Sequence, residues 1–212
     1  MSTITSVPAK TPVVYPESDG LPMSDNTLQF HWIVTIKSGL DAVFRNDASV
    51  FVAGNLLWYP VEGDNTIRIA PDVFVVFGRP KGHRGSYMQW LEGNIAPQVA
   101  FEILSPGNRL GKILEKLRFY ERYGVEEYYV YDPDHPEITG WMRKDGELKE
   151  IPEMKGWVSP RLQVRFDLVD DELCLYGPGG KKFASYVELA ERADRADRLA
   201  AQLKALGIEP EA

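Results

Sequence analysis

Val99-Ala100-Phe101-Glu102-Ile103-Leu104, the break Ser105-Pro106-Gly107-Asn108, and Glu127-Tyr128-Tyr129-Val130-Tyr131-Asp132 decide how this chain is read. The outer two are apolar runs of strand length, and the residues between the break and Gly124 repeat with helical period. Ile113, Leu117 and Tyr120 fall on one face, and Gly124 stands where a C-cap is expected, so a helix runs from about Asn108 to Tyr123. Strand, helix and strand in this order predict a right-handed parallel crossover within a mixed sheet.

Upstream, Val73-Phe74-Val75-Val76-Phe77 is a continuous apolar run, as expected of a strand buried on both faces. A short strand at Ile67 to Ile69 leads to Pro71-Asp72, and Ser49 to Tyr59 reads as another, with an irregularity at Gly54-Asn55 and its end at Pro60. Ser24 or Asp25 offers an N-cap for a helix that presents Leu28, Trp32, Ile33, Ile36 and Leu40 and stops at Asn46-Asp47. Arg79 to Leu91 reads as an exposed, partly basic loop with a short helix around Tyr87 and Trp90. Downstream, Glu137 to Tyr176 alternates in short strands, an antiparallel extension of the main sheet.

The expected organisation is an N-terminal arm over residues 1–20, a domain over 21–180 and a C-terminal amphipathic helix over 181–212. In that helix Leu189, Ala193, Ala196, Ala200 and Leu203 follow a 4-3-4-3 spacing. The stripe suits packing against the body as well as pairing with a partner helix.

A net charge of −7 argues against a protein that coats nucleic acid non-specifically, because such binding rests on Lys and Arg neutralising phosphates. A local basic cleft is compatible with it. The lone Cys174 lies among apolar residues and reads as a small core side chain. No apolar run approaches the roughly 20 residues of a membrane span, and Met1 to Pro8 has no signal-peptide character. The expectation is a cytoplasmic protein.

Two acids stand out by their surroundings. Asp72 heads one very apolar strand and Glu102 interrupts another. An ionised carboxylate there is costly unless it is paired, hydrogen-bonded or bound to a metal. Two of them at neighbouring strand ends form an oxygen-ligand set for a hard cation such as Mg²⁺ or Mn²⁺. Asp72 also suits a turn acceptor after Pro71, and Glu102 a salt bridge to a cation on the next helix, such as Lys116. Lys116 and Lys112 lie one turn apart on that helix, and either could return to the strand ends. Arg79, Lys81, His83 and Arg84 follow the Asp72 strand and are candidates for phosphate contact. His31, His83 and His135 lack zinc-ligand spacing, no glycine pattern forms a phosphate cradle, and Ser105 lacks the glycine that precedes a hydrolase serine. The tyrosines of residues 128–131 suit a core sheet face better than a base-stacking platform.

The order Pro71-Asp72, then Phe101-Glu102-Ile103-Leu104-Ser105-Pro106, then Glu115-Lys116-Leu117 with Tyr120, then Gly124 to Pro133 resembles the Uma-two family of restriction endonucleases. That family lies within the PD-(D/E)xK nuclease superfamily. Val73 to Gly85 and the C-terminal run ending Gly207-Ile208-Glu209-Pro210 look similar too, so the likeness extends from about Pro12 to the end. The resemblance implies a restriction-endonuclease-like α/β fold, a mixed sheet flanked by helices. It also implies Asp72 and Glu102 as metal ligands. The superfamily's lysine sits two residues after the glutamate, where this chain has Leu104; a known variation moves it to the following helix, which matches Lys116. The superfamily often adds an acid on its first helix, for which Asp25 and Asp41 are both available.

The expected function is therefore a Mg²⁺- or Mn²⁺-dependent endonuclease that hydrolyses DNA, with Asp72 and Glu102 on the metal and Lys116 orienting water or stabilising charge. The rival is a catalytically silent, nuclease-derived binding or scaffold homodimer. A third reading is a hydrolase of other phosphoesters. A homodimer is expected from the nuclease resemblance and the Leu/Ala stripe.

Overall fold

The computed structural model describes residues 13–20, 22, 24–106 and 110–206. Helix α1 (Thr27–Val43) buries Trp32, Ile33, Ile36 and Leu40. Its cap is Asn26, in extended backbone, whose side chain accepts the Gln29 N–H at 2.8 Å. Two expectations shift in consequence. Leu28 is partly exposed while Gln29 turns inward, and the helix closes at Val43 with the Phe44 N–H on Leu40 O, ahead of Asn46.

The strands follow as β1 (Val50–Gly54), β2 (Trp58–Tyr59), β3 (Val73–Phe77), β4 (Tyr87–Met88) and β5 (Val99–Ile103). Next come α2 (Leu110–Tyr123), β6 (Glu127–Asp132), β7 (Glu137–Lys144), β8 (Glu147–Glu150), β9 (Arg165–Val169), β10 (Glu172–Tyr176) and α3 (Tyr186–Ala205). Six strands form a mixed sheet in the order β1-β3-β5-β6-β7-β8. The pair β5 and β6 is parallel, joined through α2, and the other neighbours are antiparallel. This is the α/β fold expected from the sequence. Positive φ at Asp145 and Gly146 turns β7 into β8, and Gly124 at φ +94° ends α2.

Each face of the sheet carries its own core. On one, α1 and the β9–β10 hairpin cover Val73, Val75, Phe101, Ile103 and Tyr129. On the other, α2 with Trp58 of β2 and Tyr87 of β4 covers Phe74, Ala100, Tyr128 and Val130. This double cover explains why β3 reads as an unbroken apolar run. Cys174 is buried in β10.

Several segments depart from expectation. The Gly54-Asn55 irregularity splits the first strand run, with Asn55 at φ +49°. Ile67 to Ile69 forms only a single bridge, Trp58 to Ile69, and no strand. The Arg79–Leu91 segment is anchored by Tyr87, which is fully buried, and runs into a 3₁₀ turn at Gln89–Glu92. Along α3 no residue is buried, although Ser185 and Glu188 close its N-terminus with a capping box. Leu189 is half exposed, Ala193 and Ala196 are exposed, and Ala200 and Leu203 are only partly covered, so the described body does not bury the Leu/Ala stripe. Of the expected arm, residues 1–12 lie outside the described residues, while Tyr15 packs against Tyr59 and Trp90. The expected Gly207 to Pro210 helix end also lies outside them. No described helix is long and apolar enough to cross a membrane.

Candidate active site

The ladders joining β1, β3 and β5 determine where the acids go. Gly54 pairs with Val73, and Val73 with Phe101. One step further along the same ladders, Asn55, Asp72 and Glu102 stand in a row across three neighbouring strands. Alternation along β5 turns Glu102 from the core of Phe101 and Ile103 toward the face covered by α2. Both acids are buried, Asp72 at 7% and Glu102 at 4% exposure.

Asp72 Oδ2 accepts the backbone N–H of Ile103 at 2.7 Å, and the Asp72 carbonyl accepts the Asn55 N–H at 3.2 Å. Glu102 is held from α2: Lys116 Nζ donates to Oε2 at 2.6 Å, and the Tyr120 hydroxyl donates to Oε1. Residues four apart share one helix face, so Lys116 and Tyr120 reach down together from the helix that follows the Glu102 strand. Lys112, its competitor, is exposed and makes no ion pair among the described residues. Leu104 is partly buried against the core under α2, where a lysine would have to leave its charge in apolar surroundings.

With this geometry in place, the comparisons with known proteins can be read. The model of a family described as "Putative restriction endonuclease", Uma2, matches residues 29–169. The chain belongs to the Uma2 family. The match includes Asp72, Glu102, Lys116 and Tyr120; it leaves out the first 28 residues and α3, and so is narrower than the likeness read from the sequence. Among solved structures, the chain is similar to the crystal structure of a "putative nuclease belonging to DUF820" from Anabaena variabilis, with 17% identity and a TM-score of 0.47, over 64% of this chain and 72% of that one. No curated protein matches.

Burial pushes the Asp72 carboxyl up to about 8, the Glu102 charge adds to the rise, and the Ile103 N–H, Lys116 and Gln29 oppose it. Burial lowers the Lys116 ammonium, but Glu102 outweighs it, with Asp72 and Asp25 adding, and the net shift is upward. One lysine thus faces two carboxylates. A divalent cation fits such a pair, although no group of three His, Cys, Asp or Glu suited to a metal exists among the described residues. Remaining coordination positions would fall to main-chain carbonyls, waters and a phosphate, as suits Mg²⁺. A second observation agrees. Among the described residues, the buried side-chain atoms without a hydrogen-bond partner are Asn55 Nδ2, beside Asp72 on the ladder, and Tyr128 Oη, on the strand next to Glu102.

Of the acids near the first helix, Asp25 is the one turned to the site: it accepts from Ser105 Oγ at 2.5 Å just beyond β5. Asp41 pairs with Lys37 on the exposed side of α1. Sequence reasoning missed Gln29, whose Nε2 donates to Ile103 O at 3.0 Å and whose Oε1 accepts the Asp25 N–H at 2.7 Å. An amide at an inward position of an apolar helix face was the available signal. The Tyr128 hydroxyl had none.

The basic residues of 79–84 stand away from the acid pair. Asp72 precedes β3 and Arg79 follows it, so a five-residue strand of roughly 17 Å separates them. There Arg79 and Arg84 both bind Glu92, at 2.7 and 2.6 Å, and Lys81 donates to Phe44 O. The buried Glu127 is likewise no part of the site. It opens β6, at the sheet end away from Glu102, and bonds Tyr129, Ser159 and the Arg161 N–H.

Proposed function

We propose that this Uma2 protein is a divalent-metal-dependent endonuclease that hydrolyses DNA phosphodiester bonds, with Asp72 and Glu102 as the metal ligands. The observation that carries this reading is the cross-strand placement of the two buried carboxylates with the Lys116 ammonium 2.6 Å from Glu102. Asp72 and Glu102 would hold a Mg²⁺ or Mn²⁺ ion at the sheet end, where it would polarise the phosphodiester and lower the pKa of the attacking water. Lys116 orients the attacking water or stabilises the charge that develops on the pentacovalent phosphorus. Tyr120 fixes the second oxygen of Glu102 from above, and Gln29 braces the Ile103 carbonyl from the α1 side, while the Ile103 N–H holds Asp72.

The test is cleavage of plasmid DNA by the purified chain with and without Mg²⁺ or Mn²⁺, repeated with Asp72→Ala and Glu102→Ala. Metal-dependent cleavage lost in both variants supports the reading. Full cleavage by either variant overturns it. A chain that binds neither ion by calorimetry is the silent scaffold. The same reading includes a homodimer joined through α3, since the Leu/Ala stripe on that helix is not covered by the described residues.

A further inference from the structure

Tyr128 sits on β6 opposite Ala100 of β5, so its ring shares the α2 face of the sheet with Glu102, two residues further along β5. The ring is enclosed. Its centroid lies 4.8 Å from that of Tyr120 and 5.2 Å from that of Trp141, and no part of the residue is exposed. Tyr120, its neighbour, has its hydroxyl on Glu102. The Tyr128 hydroxyl has no hydrogen-bond partner among the described residues. For packing alone a phenylalanine would fill the same space without leaving a buried donor unmade, which is costly. Burial pushes the pKa of this phenol up, and the charges of Glu102 and Asp72 add to the rise.

We propose that Tyr128 is a positioning residue, its hydroxyl donating to the Asp72–Glu102 carboxylates when they hold a divalent cation. The inference rests on the metal-binding reading above. The two oxygens of Glu102 are already engaged by Lys116 and Tyr120, and one oxygen of Asp72 by Ile103. Seating a cation draws carboxylate oxygens out of those bonds. The buried hydroxyl then becomes a ready replacement donor, fixing the carboxylates behind the ion as second-layer groups do in metal sites.

The experiment is a calorimetric titration of Mn²⁺ into the wild-type chain and into Tyr128→Phe, with thermal melts of both metal-free proteins. The expected result is Mn²⁺ affinity about 10-fold weaker in the variant, with a metal-free melting temperature unchanged or higher. A residue that only packs would leave the affinity alone. Equal affinity in the two proteins overturns the inference while leaving the metal site standing, and a wild-type chain that binds no Mn²⁺ overturns both. Should Tyr128→Phe not fold, a structure of the wild-type chain with Mn²⁺ decides. Tyr128 Oη within about 3.2 Å of an Asp72 or Glu102 oxygen supports the proposal, and a hydroxyl still unpartnered removes it.

Discussion

Lys116 reaches Glu102 across fourteen residues of sequence, its Nζ 2.6 Å from Oε2, and so brings a cation to a carboxylate that is only 4% exposed. The lysine is itself about a third exposed.

From this follows the behaviour of Lys116→Met. Cleavage should fall by about 10²-fold or more, the scale of losing one charge-stabilising donor. Mg²⁺ affinity should hold or tighten, because a competing cation is gone. The metal-free fold should lose about 2 kcal/mol through the uncompensated Glu102. Kinetics, calorimetry and urea unfolding of one variant check all three, and a parallel loss of metal affinity would show Lys116 acting otherwise.

Asp72 sets the pH dependence. Its folded-state value of about 8 lies above the ordinary 3.8, so the folded chain holds a proton that the unfolded chain releases. The resulting stabilisation is full below about pH 4, declines as pH rises and is gone above about 8. Melting of the metal-free wild type should therefore drop more between pH 5 and 8.5 than melting of Asp72→Asn. Protons and cation compete for the same carboxyl, so the Mn²⁺-induced rise in melting temperature should be larger at pH 8.5 than at pH 6. Equal pH slopes for wild type and variant would contradict the assignment.

Tyr120→Phe removes the donor to Glu102 Oε1 and leaves the ring stacked on Trp58. A hydrogen bond to a buried charge is worth roughly 1.5–3 kcal/mol. That loss should appear in urea unfolding, together with a fall in cleavage at saturating metal.

Gly39 tests the opposite case, a position that matters for the fold alone. A Cβ there would come within 2.2 Å of the Phe183 ring. Alanine is the better helix former by about 1 kcal/mol, yet Gly39→Ala should destabilise by about 1–3 kcal/mol through overpacking. Cleavage per folded molecule should be unchanged. A stabilised variant would mean that Phe183 swings aside at no cost.

Removing residues 186–212 should leave the melting temperature of the remainder within error, since no described residue of α3 is buried. In light scattering, the shortened chain should have the mass of one copy and the full chain that of two. One mass for both would dismiss α3 as the joint.

Pattern alone carried the central sheet, the β5–α2–β6 crossover and the two odd acids, because each is a local statement: an apolar run, a 3.6-residue period, a charge where charge is costly. The same locality explains what went astray. Asn26 took the cap from Ser24 and Asp25, and Gln29 the inward place from Leu28, because which residues of the first turn cap it and face inward is settled by what that turn packs against. Arg79 and Arg84 follow Asp72 closely in sequence but stand at the other end of β3, committed to Glu92. Sequence distance is a poor guide to spatial distance once a strand intervenes. The row of Asn55, Asp72 and Glu102, the choice of Lys116 over Lys112, and the unmated hydroxyl of Tyr128 came only with the fold. Each depends on strand register and on the depth at which α2 lies over the sheet, and those are set by packing between segments far apart in the chain.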